Sequence, residues 1–313
     1  MPDPVDTPHT LGERAARQLA NTTKSVPQWT AITPRWLVTF LPWVPVEAAT
    51  YRVTRVKDGT TESADVECSP DEKKDLPESF VDYGVPAREY TLNAVTTVLD
   101  VQTRVSDLFS HPHDQIREQL RLTIEKVKEK QEAELLHNKD YGLLNSVAPS
   151  QRLKTLKGPP TPDDLDELIS KVWKEPAFFL AHPRAIAAFG RECTRRGVPP
   201  PTVTLFGNPF VTWRGIPLVP CDKIYVKAEG KKGGGKTSIL LLRTGEKKQG
   251  VVGLFQPGIP GEVTPSLSVR FMGINRKAIA SYLISLYCSA AVLTEDALAA
   301  LDDVEVGYYH EYA

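Results

Sequence analysis

Several things are scarce in this chain of 313 residues, and each shortage excludes something. It has only four cysteines, Cys68, Cys193, Cys221 and Cys288, with no C-x-x-C spacing and no histidine partners at metal-site spacing. That argues against a disulfide framework or a zinc site and fits reduced thiols in a cytoplasm. An excess of positive charge is also missing. Lys and Arg number 38 against 39 Asp and Glu, a net charge of -1, whereas a general nucleic-acid binder needs a basic surplus. The longest uncharged run, 278–294, is too short for a membrane span and carries Ser281, Ser285 and Ser289. The first residues, MPDPVDTPHT, are polar and proline-rich, unlike a signal peptide. No G-x-S-x-G elbow and no Ser, His and Asp set offers a nucleophile. No catalytic, cofactor-binding or metal site is therefore expected.

Proline, by contrast, is abundant, with 26 residues that punctuate the chain into arms and loops. The longest helical pattern runs over 110–145. Ser110 is placed to cap it, Pro112 suits its first turn, and Ile116, Leu120, Ile124, Val127 and Leu135 form one apolar stripe on a charged rod. So narrow a stripe predicts a helix lying across a sheet or another helix. Ahead of it, Leu11 to Ala20 reads as a short amphipathic helix. Trp29, Trp36 and Trp43 then recur every seven residues among Pro27, Pro34, Pro42 and Pro45, which forbid a continuous helix. Such a segment makes no core of its own. Its aromatics go either into the body of the same chain or against another subunit.

Tyr51 to Lys57 and Tyr90 to Val105 read as strands flanking a charged loop, 58–80, a long two-stranded excursion that must lean on something. Thr161, Pro162 and the acids Asp163, Asp164, Asp166 and Glu167 mark a helix start, better read as dipole-complementing charge than as a metal cluster. Another helix follows Pro183, and Thr194 to Pro201 is a basic, proline-rich loop. Short strands are expected at 211–213, 224–227, 238–243, 251–255 and 266–273. Residues 278–292 alternate with period two as a long strand, although serines four apart also allow a helix. Thr294 is placed to cap a final short helix.

Gly230-Lys231-Lys232-Gly233-Gly234-Gly235-Lys236-Thr237 matches the written P-loop pattern, so the alternative function is a P-loop nucleotide-binding enzyme using 230–237. The motif requires a following helix. Here Ser238 to Arg243 reads as a return strand, which predicts a hairpin with a Lys/Gly-rich tip. His111 and His113 lie at one end of the long helix and His137 at the other, too far apart to share a metal. Cys193, beside Arg191, Arg195 and Arg196, lacks a base and is read as packing.

Residues 32–53, 89–109, 119–145, 161–207 and 213–224, among them ITPRWLVTFLPWVPVEAATYRV and TPDDLDELISKVWKEPAFFLAHPRAIAAFG, resemble the shell protein of family 2A encapsulins. The resemblance implies an α+β fold of the Hong Kong 97 phage-capsid type. The map it suggests is an N-terminal arm (1–45), an E-loop (46–105), a P-domain with a spine helix (106–170), an A-domain (171–261), and a P-domain return strand with the C-terminus (262–313). It implies a non-enzymatic protein that self-assembles into an icosahedral shell of T=1 type in a bacterial cytoplasm. The implied cargo is a cysteine desulfurase in sulfur metabolism or storage, and neither nucleic acid nor a cofactor is implied as a partner. On this map Arg195, Arg196, Gly197, Val198 and Pro199 are candidate pore-loop residues at a fivefold axis, and Trp29, Trp36 and Trp43 a candidate assembly arm.

Overall fold

The computed structural model describes residues 32–54, 83–84, 87–102, 115–228 and 234–309. The expected helix at 11–20, Trp29, Cys68, the charged loop, the Ser110 cap, His111, His113 and the first half of the Lys/Gly motif lie outside them. In chain order the elements are α1 (Trp36–Phe40), β1 (Trp43–Pro45), β2 (Thr50–Val53), β3 (Arg88–Thr91), β4 (Asn93–Gln102), α2 (Gln115–His137), α3 (Leu143–Ser146) and β5 (Arg152–Lys154). Then come α4 (Pro162–Lys171), β6 (Phe178–Ala181), α5 (Pro183–Arg195), β7 (Thr202–Leu205), β8 (Asn208–Trp213), β9 (Ile216–Pro220) and β10 (Lys236–Leu242). The last are β11 (Val251–Phe255), β12 (Glu262–Thr264), β13 (Leu267–Ile274), β14 (Ile279–Val292) and β15 (Leu298–Glu305).

Two large sheets organise the chain. The first runs β1-β11-β14-β13-β12, with β4 also laid along β14. Its centre is the period-two segment, a strand of 14 residues as the alternation required. The antiparallel β4 follows it from Asn93↔Cys288 to Gln102↔Ile279. The second sheet has seven strands in the order β5-β15-β10-β6-β9-β8-β7. Phe178–Ala181, 239–242 and 298–301 in its central strands are apolar at successive positions because both faces are covered there. Phe179, Ala181, Ile239, Leu241, Ala299 and Leu301 face α4 and α5. Phe178, Leu180, Leu240, Leu242, Leu298 and Ala300 belong to the core on the other face, with Leu37, Leu41, Leu135, Leu136 and Leu143.

The long helix α2 joins the two lobes. Leu120, Ile124 and Val127 pack on Val95, Leu99, Ile284 and Leu286 of the first sheet. Two turns later Leu135 and Leu136 enter the core of the second. The helix ends where the chain folds back on itself at Gly142, whose N–H bonds to the Asn138 carbonyl at 3.0 Å. A Cβ at Gly142 would stand 2.3 Å from that same oxygen, so only glycine permits the approach.

The structure revises three expectations. The final helix is only a single 3-10 turn, Glu295–Ala297, and the chain continues as β15. Pairing with both β10 and β5 buries the first four residues of β15, which a terminal helix would leave half exposed. Residues 262–305 are therefore shared between the two sheets. The expected strand at 90–105 is two strands: β3 pairs with β2, whereas β4 pairs with β14. They part at Leu92, whose N–H is taken by the Ala49 carbonyl at 3.0 Å. The first short ladder leans on the first sheet, with Tyr90 buried among Val252, Leu254 and Ala291 and its hydroxyl donating to the Val292 carbonyl at 2.6 Å. Finally, 224–227 is a turn with a single bridge, Lys227↔Lys236, because Cys221 to Tyr225 bends around the end of α2.

Candidate assembly and pore surfaces

The arm meets the spine helix through a row of carboxylates. Glu125, Glu129 and Glu132 are spaced four and three apart on α2, which sets them on one face. Arg35, in left-handed backbone at φ 50, turns the chain so that successive groups reach this row. Its guanidinium pairs with Glu125 at 2.6 Å and Glu129 at 3.2 Å. The Thr33 N–H and hydroxyl donate to Glu129, each at 2.9 Å. The Leu37 N–H, an otherwise orphaned donor in the first turn of α1, donates to Glu132 at 3.1 Å. From the second lobe Lys223 bridges Glu129 and Asp222, at 2.8 Å each.

This clasp holds its charges unequally. Burial pushes the Glu132 carboxyl up to about 7, against the Leu37 N–H and the Lys223 ammonium, which favour the anion, and with Glu129 and Asp222 adding repulsion. At Glu129 burial acts in the same direction, but the Lys223 ammonium and the Thr33 donors outweigh it and hold that carboxyl below its usual range. The ligand atoms of Glu132, Cys221 and Asp222 lie within 4.8 Å of one another, the one metal-capable group among the described residues. Burial pushes the Cys221 thiol up to about 12, so the thiol holds its proton near neutrality, and Lys223 supplies the cation beside Asp222. The chemistry of this group is that of packing rather than of metal ligation.

Of the three arm tryptophans, Trp36 and Trp43 both lie on the chain's own core. The Trp36 ring meets Phe40, Phe206 and Phe210 with centroids at 6.3, 6.4 and 5.2 Å. The Trp43 Nε1–H donates to the Val38 carbonyl at 2.9 Å, and its ring lies flat over Gly253, where a Cβ would stand 2.7 Å away. The sevenfold spacing reflects this: α1 presents Trp36, and one short bend later β1 presents Trp43 beside β11.

The candidate pore residues form the end of α5 and the turn beyond it. Arg195 is its last residue, Arg196 caps it, and Gly197 takes positive φ, 69°, as a helix stop requires. Val198 is exposed and Pro199 follows. The arginines are held within the chain: Arg195 pairs with Glu192 at 3.1 Å and Arg196 with Asp163 at 2.7 Å. The Arg195 side chain remains 47% exposed and that of Arg196 28%, so Arg195 presents more charge to solvent. Cys193, one turn earlier, is buried, and burial pushes its thiol up to about 11, an inert packing residue.

Three of the four acids at the start of α4 make contacts that belong to the fold. Thr161 and Asp164 form a reciprocal capping box, Asp163 binds Arg196, and Asp166 binds Arg214 and the Trp213 indole. The P-loop pattern fails its context: Lys236 opens strand β10, and no helix follows. His137 stacks on Tyr225 with centroids 4.5 Å apart and shares a 2.6 Å hydrogen bond with the Lys223 carbonyl.

One surface was not legible in the sequence. Val98, Phe271, Met272 and Ile274, at the far end of the first sheet, are 50 to 61% exposed. β4 pairs with β14 alone, and β12 pairs only Leu267 and Ser268 of β13, so two strand edges there have no described partner. Alternation marked these residues as strand, but not whether a second layer covers the strand.

Comparison with known proteins places this geometry. Residues 50–308 match the family model described as SrpI-like, type 2A encapsulin shell protein. The type 2A encapsulin shell protein SrpI of Synechococcus elongatus is 66% identical over 302 residues, 96% of each chain. The cryo-electron-microscopy structure of the holo-SrpI encapsulin complex from Synechococcus elongatus superimposes with a TM-score of 0.82 at 63% identity, covering 97% of this chain and 99% of that one. The capsid of an empty GTA particle shares only 12% identity but superimposes with a TM-score of 0.62 over 95% of this chain and 99% of its own, which makes the fold that of phage capsids.

Proposed function

This chain belongs to the SrpI-like type 2A encapsulin shell proteins, a family of structural proteins rather than enzymes, and from that premise we propose that its copies close into an icosahedral T=1 shell around a cysteine desulfurase in the bacterial cytoplasm, serving sulfur metabolism or storage. The chain is an encapsulin shell protein of the Hong Kong 97 capsid fold, forming a capsid-like compartment. No helix among the described residues is long and apolar enough to cross a membrane.

The observation that supports closure is the uncovered end of the first sheet. Val98, Phe271, Met272 and Ile274 present large apolar surface beside two open strand edges, a combination that invites aggregation unless a neighbour covers it. In a closed shell these residues, Val98 on one face of the sheet and Phe271 and Ile274 on the other, meet the same complementary surfaces on every copy, and symmetry terminates growth. The arm with Trp29, Trp36 and Trp43 helps assembly: the last two anchor it to the chain's own core, so that whatever precedes Ile32 leaves from a fixed point beside α2. The turn at Arg195 to Pro199 forms the lip of a fivefold pore, where Arg195 favours small anions.

Purified protein should elute in the void of a sizing column and show uniform spheres by negative stain; a monomer or dimer would refute the reading. Co-expression with a cysteine desulfurase should yield particles that retain the enzyme through gradient sedimentation, and empty particles would remove the cargo assignment. Arg195→Glu with Arg196→Glu should slow entry of a small anionic reagent into assembled shells, and unchanged access would remove the pore-lip role.

A further inference from the structure

The arm, the spine helix and the first sheet meet without closing fully on one another. Helix α1 has only five residues, and between it, α2 and the first sheet the chain leaves a cavity of about 530 Å3. Such a volume lies within the range of small-molecule sites. Its walls are apolar, with Val38 from α1, Trp43 from β1, Phe255 from β11 and Leu286 from β14. Trp43 is fixed in place, since its ring lies over Gly253 and its indole N–H donates to the Val38 carbonyl at 2.9 Å.

One polar group stands among these walls. Gln131, on α2, lines the cavity at 8% exposure, and its carboxamide has no hydrogen-bond partner among the described residues. Buried polar groups are paired as a rule, and an unpaired one is costly. A carboxamide offers a donor and an acceptor side by side, so another amide is its complement, met through two parallel N–H···O bonds. The two cations that also line the cavity are already answered. Arg35 is held by Glu125 and Glu129, and Lys128, one turn before Gln131, pairs with Glu125 at 3.6 Å. The cavity therefore offers apolar walls and one neutral amide, and its unmet demand is for a hydrogen-bonding partner rather than for an anion.

We propose that this cavity binds a small uncharged molecule that carries an apolar ring and an amide, with the ring against Trp43 and Phe255 and the amide paired with Gln131. The probe is naphthaleneacetamide, titrated calorimetrically into the full-length protein, with naphthaleneacetate as its anionic counterpart. The amide should bind saturably below about 1 mM, and the acetate about tenfold more weakly. Gln131→Leu keeps the bulk and removes the pairing, and should weaken the amide by about tenfold. Val38→Trp fills the cavity and should abolish binding of both probes. Thr39→Trp, at an exposed position on the cavity mouth, serves the same purpose if the first filling variant fails to fold. Absence of saturable binding by the wild type overturns the proposal, as does binding that survives the filling variants. Acetate binding as tightly as the amide overturns the neutral ligand class, and amide binding undiminished by Gln131→Leu overturns the placement of the amide.

Discussion

The two lobes solve the problem of burial differently. In the lobe of the seven-stranded sheet, every residue from Phe178 to Ala181 and from Ile239 to Leu242 is within about one per cent of full burial. Helices α4 and α5 cover one face, and the arm and the end of α2 cover the other. In the lobe of the first sheet, the helix covers Val95, Leu99, Ile284 and Leu286, but the sheet runs on past the described helix and leaves Phe271, Met272 and Ile274 in solvent. A lobe covered on both faces draws its stability from its own chain. A lobe with open edges and apolar surface draws part of it from whatever covers them. The clasp of Glu125, Glu129 and Glu132 ties the arm and Lys223 to α2, which packs on both sheets.

The most damaging single change should fall in the self-sufficient lobe. Arg243, 1% exposed, pairs with Asp296 at 2.8 and 3.1 Å and donates to Thr294 at 2.7 Å. Arg243→Ala removes three hydrogen bonds made by a buried guanidinium, while Asp296 keeps Lys174 at 3.1 Å, and should cost about 3 kcal/mol in urea unfolding. A loss under about 1 kcal/mol would show that this lobe, too, leans on neighbours.

The joint should respond to pH. Burial raises the Glu132 carboxyl from its ordinary value of 4.5 to about 7. The folded state therefore binds more protons than the unfolded one between those values. The stabilising protonation is fully present below about pH 4.5, is lost as pH rises through about 7, and leaves a flat profile above. Glu132→Gln keeps an acceptor for the Leu37 N–H and removes the charge. It should raise unfolding free energy by about 1–3 kcal/mol above pH 7 and by little near pH 5. Equal effects at both pH values would assign the change to packing rather than to titration.

Thr161→Ala removes the hydroxyl that accepts from the Asp164 N–H at 3.2 Å and should cost about 1 kcal/mol. Least disturbing to the protomer is the triple change Phe271→Ser, Met272→Ser and Ile274→Ser, which should alter unfolding by less than about 0.5 kcal/mol per site. It should nonetheless abolish uniform particles. Intact particles from this variant would dissolve the contrast between the lobes.

The legibility of these features in the sequence follows the same division. The long strand, the α4 capping box and the return strand after the Lys/Gly motif were readable because period and capping are local properties. Leu298 to Glu305 was not, because its state depends on β10 and β5, from distant stretches of chain. Trp36 and Trp43 were visibly in need of burial, yet nothing local said that the partners were Phe210 and Gly253. The carboxylate clasp sat in plain view as acids at helical spacing, but acids on a helix are usually solvated, and only the docked arm made them a joint.

By itself, then, the sequence determined the locally encoded elements and, through long family-specific blocks, the capsid-type shell. The tertiary structure decided which apolar residues are buried inside the protomer, which are left exposed, and which acids are paired. Periodicity and capping act over a few residues and are written in the chain. Burial and ion pairing act between residues as far apart as Arg35 and Glu129, or Arg152 and Asp302, and exist only once the chain has closed around them.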